Sequence, residues 1–259
     1  MMEGEEGDSV DTTKGDRDAI ELPDWQMDYL KAVHDRGTPV ILVLTNGAAV
    51  AFPEDIADAI LDVWYPGEEG GNAVANVIFG DKNPSGHLPV TFPKATKDLP
   101  AFDNYSMKNR TYRYATKEPL FPFGFGLSYT TFKFENMDVK DTPCKNGKPD
   151  SWSMTVSCDI TNTGDIAGKD AVQLYIAKKD RKADDPIYTL KQFKKIALKK
   201  GEKKNVAFKL TAKDFETIDK NGESILVPGE YVITISDSVP TERSKALGAT
   251  EPVNMVVRI

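Results

Sequence analysis

Residues 152–164 read WSMTVSCDITNTG. Trp152, Met154, Val156, Cys158 and Ile160 alternate with Ser153, Thr155, Ser157 and Asp159, and the run stops at Asn162-Thr163-Gly164. A period of two puts the five larger side chains on one face of an extended strand, and Asn-Thr-Gly supplies the turn that ends it. The pattern continues through DAVQLYIAKK, KQFKKIALKKGE, KKNVAFKLTAKDF, ESILVPGE and YVITISDS, separated by Gly, Pro, Asn and Asp turns. Short strands at this spacing over about 110 residues predict an antiparallel β-sandwich of immunoglobulin or fibronectin type.

Upstream of about Thr131 the period is different. PDWQMDYLKAVHDR (23–36) begins with Pro23, places Trp25, Tyr29, Leu30 and Val33 on one helical face and stops at Gly37. TPVILVLTNG follows as a continuous apolar run, the kind found in a parallel strand buried on both faces. PEDIADAILDVWY (53–65) places Ile56, Ala59, Ile60 and Val63 at helical spacing and so predicts a second helix. A short helix is expected from about Gly71 to Phe79, then a turn at Asn83-Pro84-Ser85-Gly86 and a short strand LPVTF. This is an α/β pattern with a sheet too thin to stand alone, so a partner element or another chain is expected to complete it. The fold class is thus a partial α/β sandwich domain at 1–130, closed by an aromatic linker, followed by an all-β immunoglobulin or fibronectin type III-like sandwich at 131–259.

The 259 residues are 40% apolar and 28% charged, ordinary for a packed protein of one or two domains. A formal charge of -7 would repel a phosphate backbone, which argues against nucleic acid as a partner. The longest apolar run, PVILVLTNGAAVAF, is interrupted by Thr45, Asn46 and Gly47 and falls short of the roughly 20 residues a membrane helix needs. No basic segment followed by an apolar one opens the chain, so as it stands it reads as cytoplasmic. Cys144 and Cys158, the two cysteines, lack metal-like spacing and read as free thiols.

Candidate chemistry is sparse. His34 and His87 are the two histidines, no Gly-x-Ser-x-Gly elbow accompanies them, and both read as structural or surface groups. YPGEEGGN lacks the Gly-Lys-Ser/Thr ending of a phosphate loop, and Glu68 and Glu69 would repel an anion. It reads as a turn that lets a helix pack closely. No metal or cofactor is expected. PLFPFGFGLSYTTF (119–132) holds four Phe and one Tyr among glycines: a stacking surface for sugar rings, or the favoured reading, a seam that buries apolar area. The acidic opening, MMEGEEGDSVDTTKGDR, has the composition of a solvated tail.

YPGEEGGNAVANVIFGD, NPSGHLP, LPVTFP, TYRY and above all PLFPFGFGLSYTTF, taken in order, resemble the C-terminal half of glycoside hydrolase family 3, the β-glucosidases and β-xylosidases. VSCDITNTGDIAGKDAVQLYI, LKQFKKIALKKGE and LVPGEYVITISDS resemble that family's terminal fibronectin type III-like domain. The resemblance implies a retaining glycosidase acting on terminal β-D-glycosyl residues, with an Asp nucleophile on a (β/α)8 barrel and a Glu acid/base from the α/β sandwich. By the same resemblance, Gly4-Glu5 before Gly15-Asp16-Arg17 and Leu22-Pro23 makes Glu5 the acid/base, with Glu6 its competitor and Asp16 and Arg17 anchoring the loop. The implied partners are a β-linked oligosaccharide or glycoside and a barrel in cis or in trans, with a homodimer left open. No segment here resembles the barrel, so this polypeptide alone is expected to hydrolyse nothing. The alternative is a non-catalytic scaffold or carbohydrate-binding piece.

Overall fold

The computed structural model describes residues 2–3, 19–101, 103–142 and 152–259. The chain forms two compact units: Met1–Lys82 with Pro89–Thr111 and Ala115–Phe123, and Asn83–Leu88 with Tyr112–Tyr114 and Gly124–Ile259.

The first unit is built on a three-stranded parallel sheet of β1 (Met2–Glu3), β2 (Ile41–Thr45) and β3 (Ala59–Asp62), in that order. Helix α1 (Asp24–His34) lies between β1 and β2 in sequence, and α2 (Gly70–Ile78) follows β3. Pro23 precedes the first turn of α1, where its missing N–H costs nothing, and its carbonyl accepts from the Gln26 and Met27 N–H groups at 2.9 and 3.0 Å. The expected apolar face of α1 is only partly the buried one. Leu30 is 3% exposed, but Trp25 and Tyr29 are 71% and 66% exposed, and Gln26 takes the buried place beside Leu30.

Strand β2 alternates rather than being buried on both faces: Leu42 and Leu44 are enclosed, while Ile41 is 51% exposed. The helix expected over 53–65 is replaced by a 3₁₀ turn, Glu54–Ile56, and strand β3. Asp58 decides the local outcome. Its carboxylate accepts the Val40 N–H at 2.8 Å while its own N–H donates to the Val40 carbonyl at 3.0 Å, which aligns Ala59–Asp62 beside Ile41–Leu44. The apolar run Ala59-Ile60-Leu61 suits either period, and ladder bonds to β2 outweigh the local helical spacing.

Helix α2 covers the expected segment within a residue at each end. A Cβ on Gly70 would overlap the Pro66 ring, so the glycine permits the tight turn that leads from Pro66 into α2. The expected LPVTF strand is reduced to one bridge, Phe92 to Phe121, because Pro89 and Pro93 bracket it and remove ladder donors. Phe92 packs edge-on against Phe121 and Trp64, and Phe52 lies against Phe121. A single helical turn, α3 (Thr111–Tyr114), comes later.

The second unit is the predicted sandwich. One sheet contains β4 (Phe132–Thr142), β5 (Ser153–Asn162) and β8 (Lys203–Thr211) in the order β4-β5-β8. The other contains β6 (Gly168–Lys178), β7 (Thr189–Leu198), β11 (Glu230–Ser236) and β12 (Val253–Arg258) in the order β12-β11-β6-β7. All neighbours are antiparallel. A small hairpin of β9 (Glu216–Ile218) and β10 (Ser224–Leu226) and a short helix, α4 (Glu242–Ala246), complete the unit.

Met154, Val156, Cys158 and Ile160 point inward as their spacing requires. They meet Val172, Leu174, Ile176, Ile233 and Ile235 from the facing sheet. Asn162 is fully buried where β5 ends, and all its polar atoms are used. Its Nδ2 donates to the Ile166 and Leu198 carbonyls at 2.8 and 3.2 Å, and its Oδ1 accepts from Thr130 Oγ1 and the Gly164 N–H at 2.7 and 3.1 Å. The turn residue read from the sequence is thus a hydrogen-bonding hub.

Candidate functional site

In parallel α/β sheets, ligands and catalytic loops gather beyond the carboxyl ends of the strands. That edge is defined here by register. Glu3 pairs with Thr45, the last residue of β2, and Leu44 pairs with Asp62, the last residue of β3. The three strands therefore end nearly level.

Polar groups collect there. Thr45 Oγ1, Asn46 Oδ1 and Asp62 Oδ2 are buried without a hydrogen-bond partner among the described residues. Asn46 Nδ2 donates to the Ala48 carbonyl at 2.8 Å, and Asp62 Oδ1 accepts the Trp64 N–H at 3.3 Å. That bond accompanies a φ of 52° at Trp64, a left-handed conformation uncommon for a bulky residue. Burial pushes the Asp62 carboxyl up to about 6, against the Trp64 N–H and the Asn46 side chain, which favour the charged form. A carboxyl poised near pH 6 can hold or release a proton under mild conditions, as acid/base chemistry requires.

Glu5, Glu6, Asp16 and Arg17 lie outside the described residues. In sequence, Gly4 and Glu5 follow directly on β1, at its carboxyl end. Asn46 and Asp62 were not singled out from the sequence. Their signal was a polar residue at the end of each apolar run, in VLTN and AILD.

The two histidines lie in different surroundings. His34 is exposed on the last turn of α1. His87 is largely enclosed in the second unit, with Nδ1 2.7 Å from the Gly124 carbonyl and Nε2 3.2 Å from Asp170 Oδ1. Cys158 is a buried free thiol, and Cys144 lies outside the described residues. Among the described residues, no group of three or more His, Cys, Asp or Glu is arranged to hold a metal ion. No helix among them is long and apolar enough to cross a membrane.

The model of the glycosyl hydrolase family 3 C-terminal domain matches residues 2–129, and that of the fibronectin type III-like domain matches residues 170–239. A xylan 1,4-beta-xylosidase of Xylanibacter ruminicola is 41% identical over 239 residues, which are 91% of this chain and 27% of the relative. A periplasmic beta-glucosidase of Salmonella typhimurium is 36% identical over 85% of this chain and 30% of its own length. The solved GH3 beta-glucosidase of Bifidobacterium adolescentis superposes with a TM-score of 0.79 at 29% identity, covering 94% of this chain and 36% of that one. The beta-glucosidase of Kluyveromyces marxianus gives a TM-score of 0.78 at 30% identity, covering 94% and 30%. The chain thus spans about a third or less of the length of the curated relatives it matches. With its parallel α/β unit and its antiparallel sandwich matched in order, the chain belongs to glycosyl hydrolase family 3, of which it carries the C-terminal domain and the fibronectin type III-like domain.

Proposed function

We propose that this chain is the part of a retaining β-glycosidase, most closely a β-glucosidase, that supplies the acid/base Glu5 to a site whose Asp nucleophile lies on a (β/α)8 barrel. The observation that carries this reading is the strand order. Strand β1, which Glu5 follows two residues later in sequence, ends level with β2 and β3 at the edge where Thr45, Asn46 and Asp62 gather buried polar atoms, and this supports the reading. Retaining hydrolysis uses two carboxyl groups roughly 5 to 5.5 Å apart, one attacking the anomeric carbon while the other protonates the leaving oxygen and then activates water. One carboxylate cannot do both, so the chain without a barrel hydrolyses nothing. Glu6 is the competitor for the proton-transfer role, and Asp16 with Arg17 fixes the far end of the loop. The substrate is a terminal β-D-glycosyl residue.

The test combines this chain with a separately produced barrel and assays aryl β-glucosides. Activity that depends on both pieces supports the reading, and none from a folded complex refutes it. Within the complex, Glu5→Gln slows substrates with poor leaving groups far more than activated ones, because only the former need a proton. Equal losses on both would transfer the role to Glu6 or elsewhere.

A further inference from the structure

We propose that His87, Asp170 and Asp237 form a pH-sensitive latch that holds the Asn83–Leu88 segment onto the sandwich in acid and loosens as the pH rises. The proposal is independent of Glu5 and concerns the second unit alone.

The ring of His87 sits between two oxygen acceptors. A carbonyl can only accept, so the 2.7 Å contact with Gly124 fixes a hydrogen on Nδ1. Nε2 then faces Asp170 Oδ1 at 3.2 Å, an oxygen that already accepts the Ala171 N–H at 2.9 Å. With a proton on Nε2 this contact is a charge-assisted bond, whereas without it a lone pair faces a carboxylate. The side chains of His87 and Asp170 are 11% and 5% exposed, so solvent does little to soften the difference.

Asp237 is the third member. Its Oδ2 accepts the Thr250 N–H at 2.9 Å, while its Oδ1 and the Oδ2 of Asp170 are buried with no hydrogen-bond partner among the described residues. Two carboxylates share one imidazolium, which leaves a negative charge uncompensated in a buried place until a proton arrives. Gln173 braces the arrangement through Nε2, which donates to the Gly124 and Asp237 carbonyls at 2.9 and 2.6 Å, and its Oε1 accepts from Tyr175 OH. A cavity of about 520 Å³ is lined by His87, Asp170 and Asp237 and provides a route for protons. The other charged groups on its wall are Lys133 from β4, Lys169 from β6 and Glu251 ahead of β12.

The signs agree. Burial opposes the charge on His87, but Asp170 outweighs it and the ring holds its proton above the usual histidine range. Burial and then the Asp170 charge push Asp237 up to about 6, against the Thr250 bonds and His87. Both groups therefore bind protons more tightly in the closed state than in an opened one. Closure stabilised by such groups is strongest in acid and is lost as the pH rises through the folded values. For Asp237, full exposure on opening, from about 6 back to the ordinary 3.8, sets an upper bound of roughly tenfold on the loss of closure between pH 5 and pH 7.5. His87 adds a further loss above its ordinary 6.5.

Two amides report on the latch: Leu88 donates to the Phe125 carbonyl and Gly124 to the Leu88 carbonyl, both at 2.8 Å. Hydrogen exchange on the full chain, expressed as protection factors to remove the intrinsic pH dependence, should show these two losing protection from pH 5 to 8, with up to roughly tenfold of the loss through Asp237 and the rest through His87, by the same linkage. The amides of Val156 and Ile233 in the sandwich core serve as the folding reference. Asp237→Asn should remove the loss below pH 7, and His87→Gln the loss above it. Flat protection in the wild type, or an unchanged slope in both variants, overturns the latch. If a variant fails the core reference, NMR titration of the wild-type His87 ring decides: a midpoint above 6.5 supports the proposal and one at or below 6.5 overturns it.

Discussion

Gly126→Ala tests the close approach on which the second unit's loop packing depends. A Cβ at position 126 would overlap the Gly86 carbonyl oxygen and lie 3.1 Å from its carbon and 3.2 Å from His87 Cα. All three are backbone atoms, so no side chain can rotate out of the way. The segments 86–88 and 124–126 must separate, which strains or breaks the two 2.8 Å bonds joining Leu88 to Phe125 and Gly124. Two such bonds are worth about 1–3 kcal/mol together, and overpacking a rigid site costs about 1–3 kcal/mol more. A destabilisation of about 3 kcal/mol is expected, or about 6–12 °C in melting temperature at this size. Differential scanning calorimetry with urea unfolding measures it. The matched control is Gly86→Ala, because a Cβ there meets nothing within 4 Å and the variant should stay within about 0.5 kcal/mol of wild type. A Gly126→Ala protein as stable as Gly86→Ala would refute the argument.

Asn162→Leu strands the Thr130 hydroxyl and two carbonyls in a fully buried place and should cost about 3 kcal/mol or more by chemical denaturation. Because Asp62 is raised to about 6, its contribution to the stability of the first unit falls as the pH rises from about 4 to 6; Asp62→Asn should flatten that slope and gain about 1 kcal/mol at pH 7.5, a figure reduced for partial solvation. Burial pushes the Cys158 thiol up to about 11, so mass spectrometry after maleimide treatment at pH 8 should find Cys158 unmodified until the protein is unfolded.

The sandwich was legible because its signal repeats. In β5 every second residue meets the facing sheet, so burial follows the sequence period across the whole strand. The first unit was harder to read. Ile56, Ala59, Ile60 and Val63 satisfy a helix, yet Asp58 bonds to Val40 and commits the segment to β3. Trp25 and Tyr29 share their helical face with Leu30 in projection, but local periodicity does not reveal how wide a stripe the neighbouring elements cover. The site was legible in the opposite sense. The resemblance named Glu5, Glu6, Asp16 and Arg17, all outside the described residues, while Asn46 and Asp62 emerged only once register brought the strand ends level. His87 was read as a structural or surface group, and it is largely enclosed, against Gly124 and Asp170. Its role was hidden because Asp170 and Asp237 lie far along the chain and meet it only in the folded unit.

The path of the chain between the two units also constrains how they can be inherited. Residues 83–88 and 112–114 belong to the sandwich but are encoded inside the α/β unit. They are not incidental: the Arg113 carbonyl accepts the Ile187 N–H at 2.6 Å, Tyr112 OH accepts the Leu190 N–H at 3.1 Å, and His87 reaches Asp170. No single recombination breakpoint between residues 82 and 124 can deliver a sandwich with both pieces and leave an intact α/β unit behind. Genetic exchange should therefore move the two units as one cassette, and chimaeras joined upstream of the α/β unit should fold where those joined between the units do not.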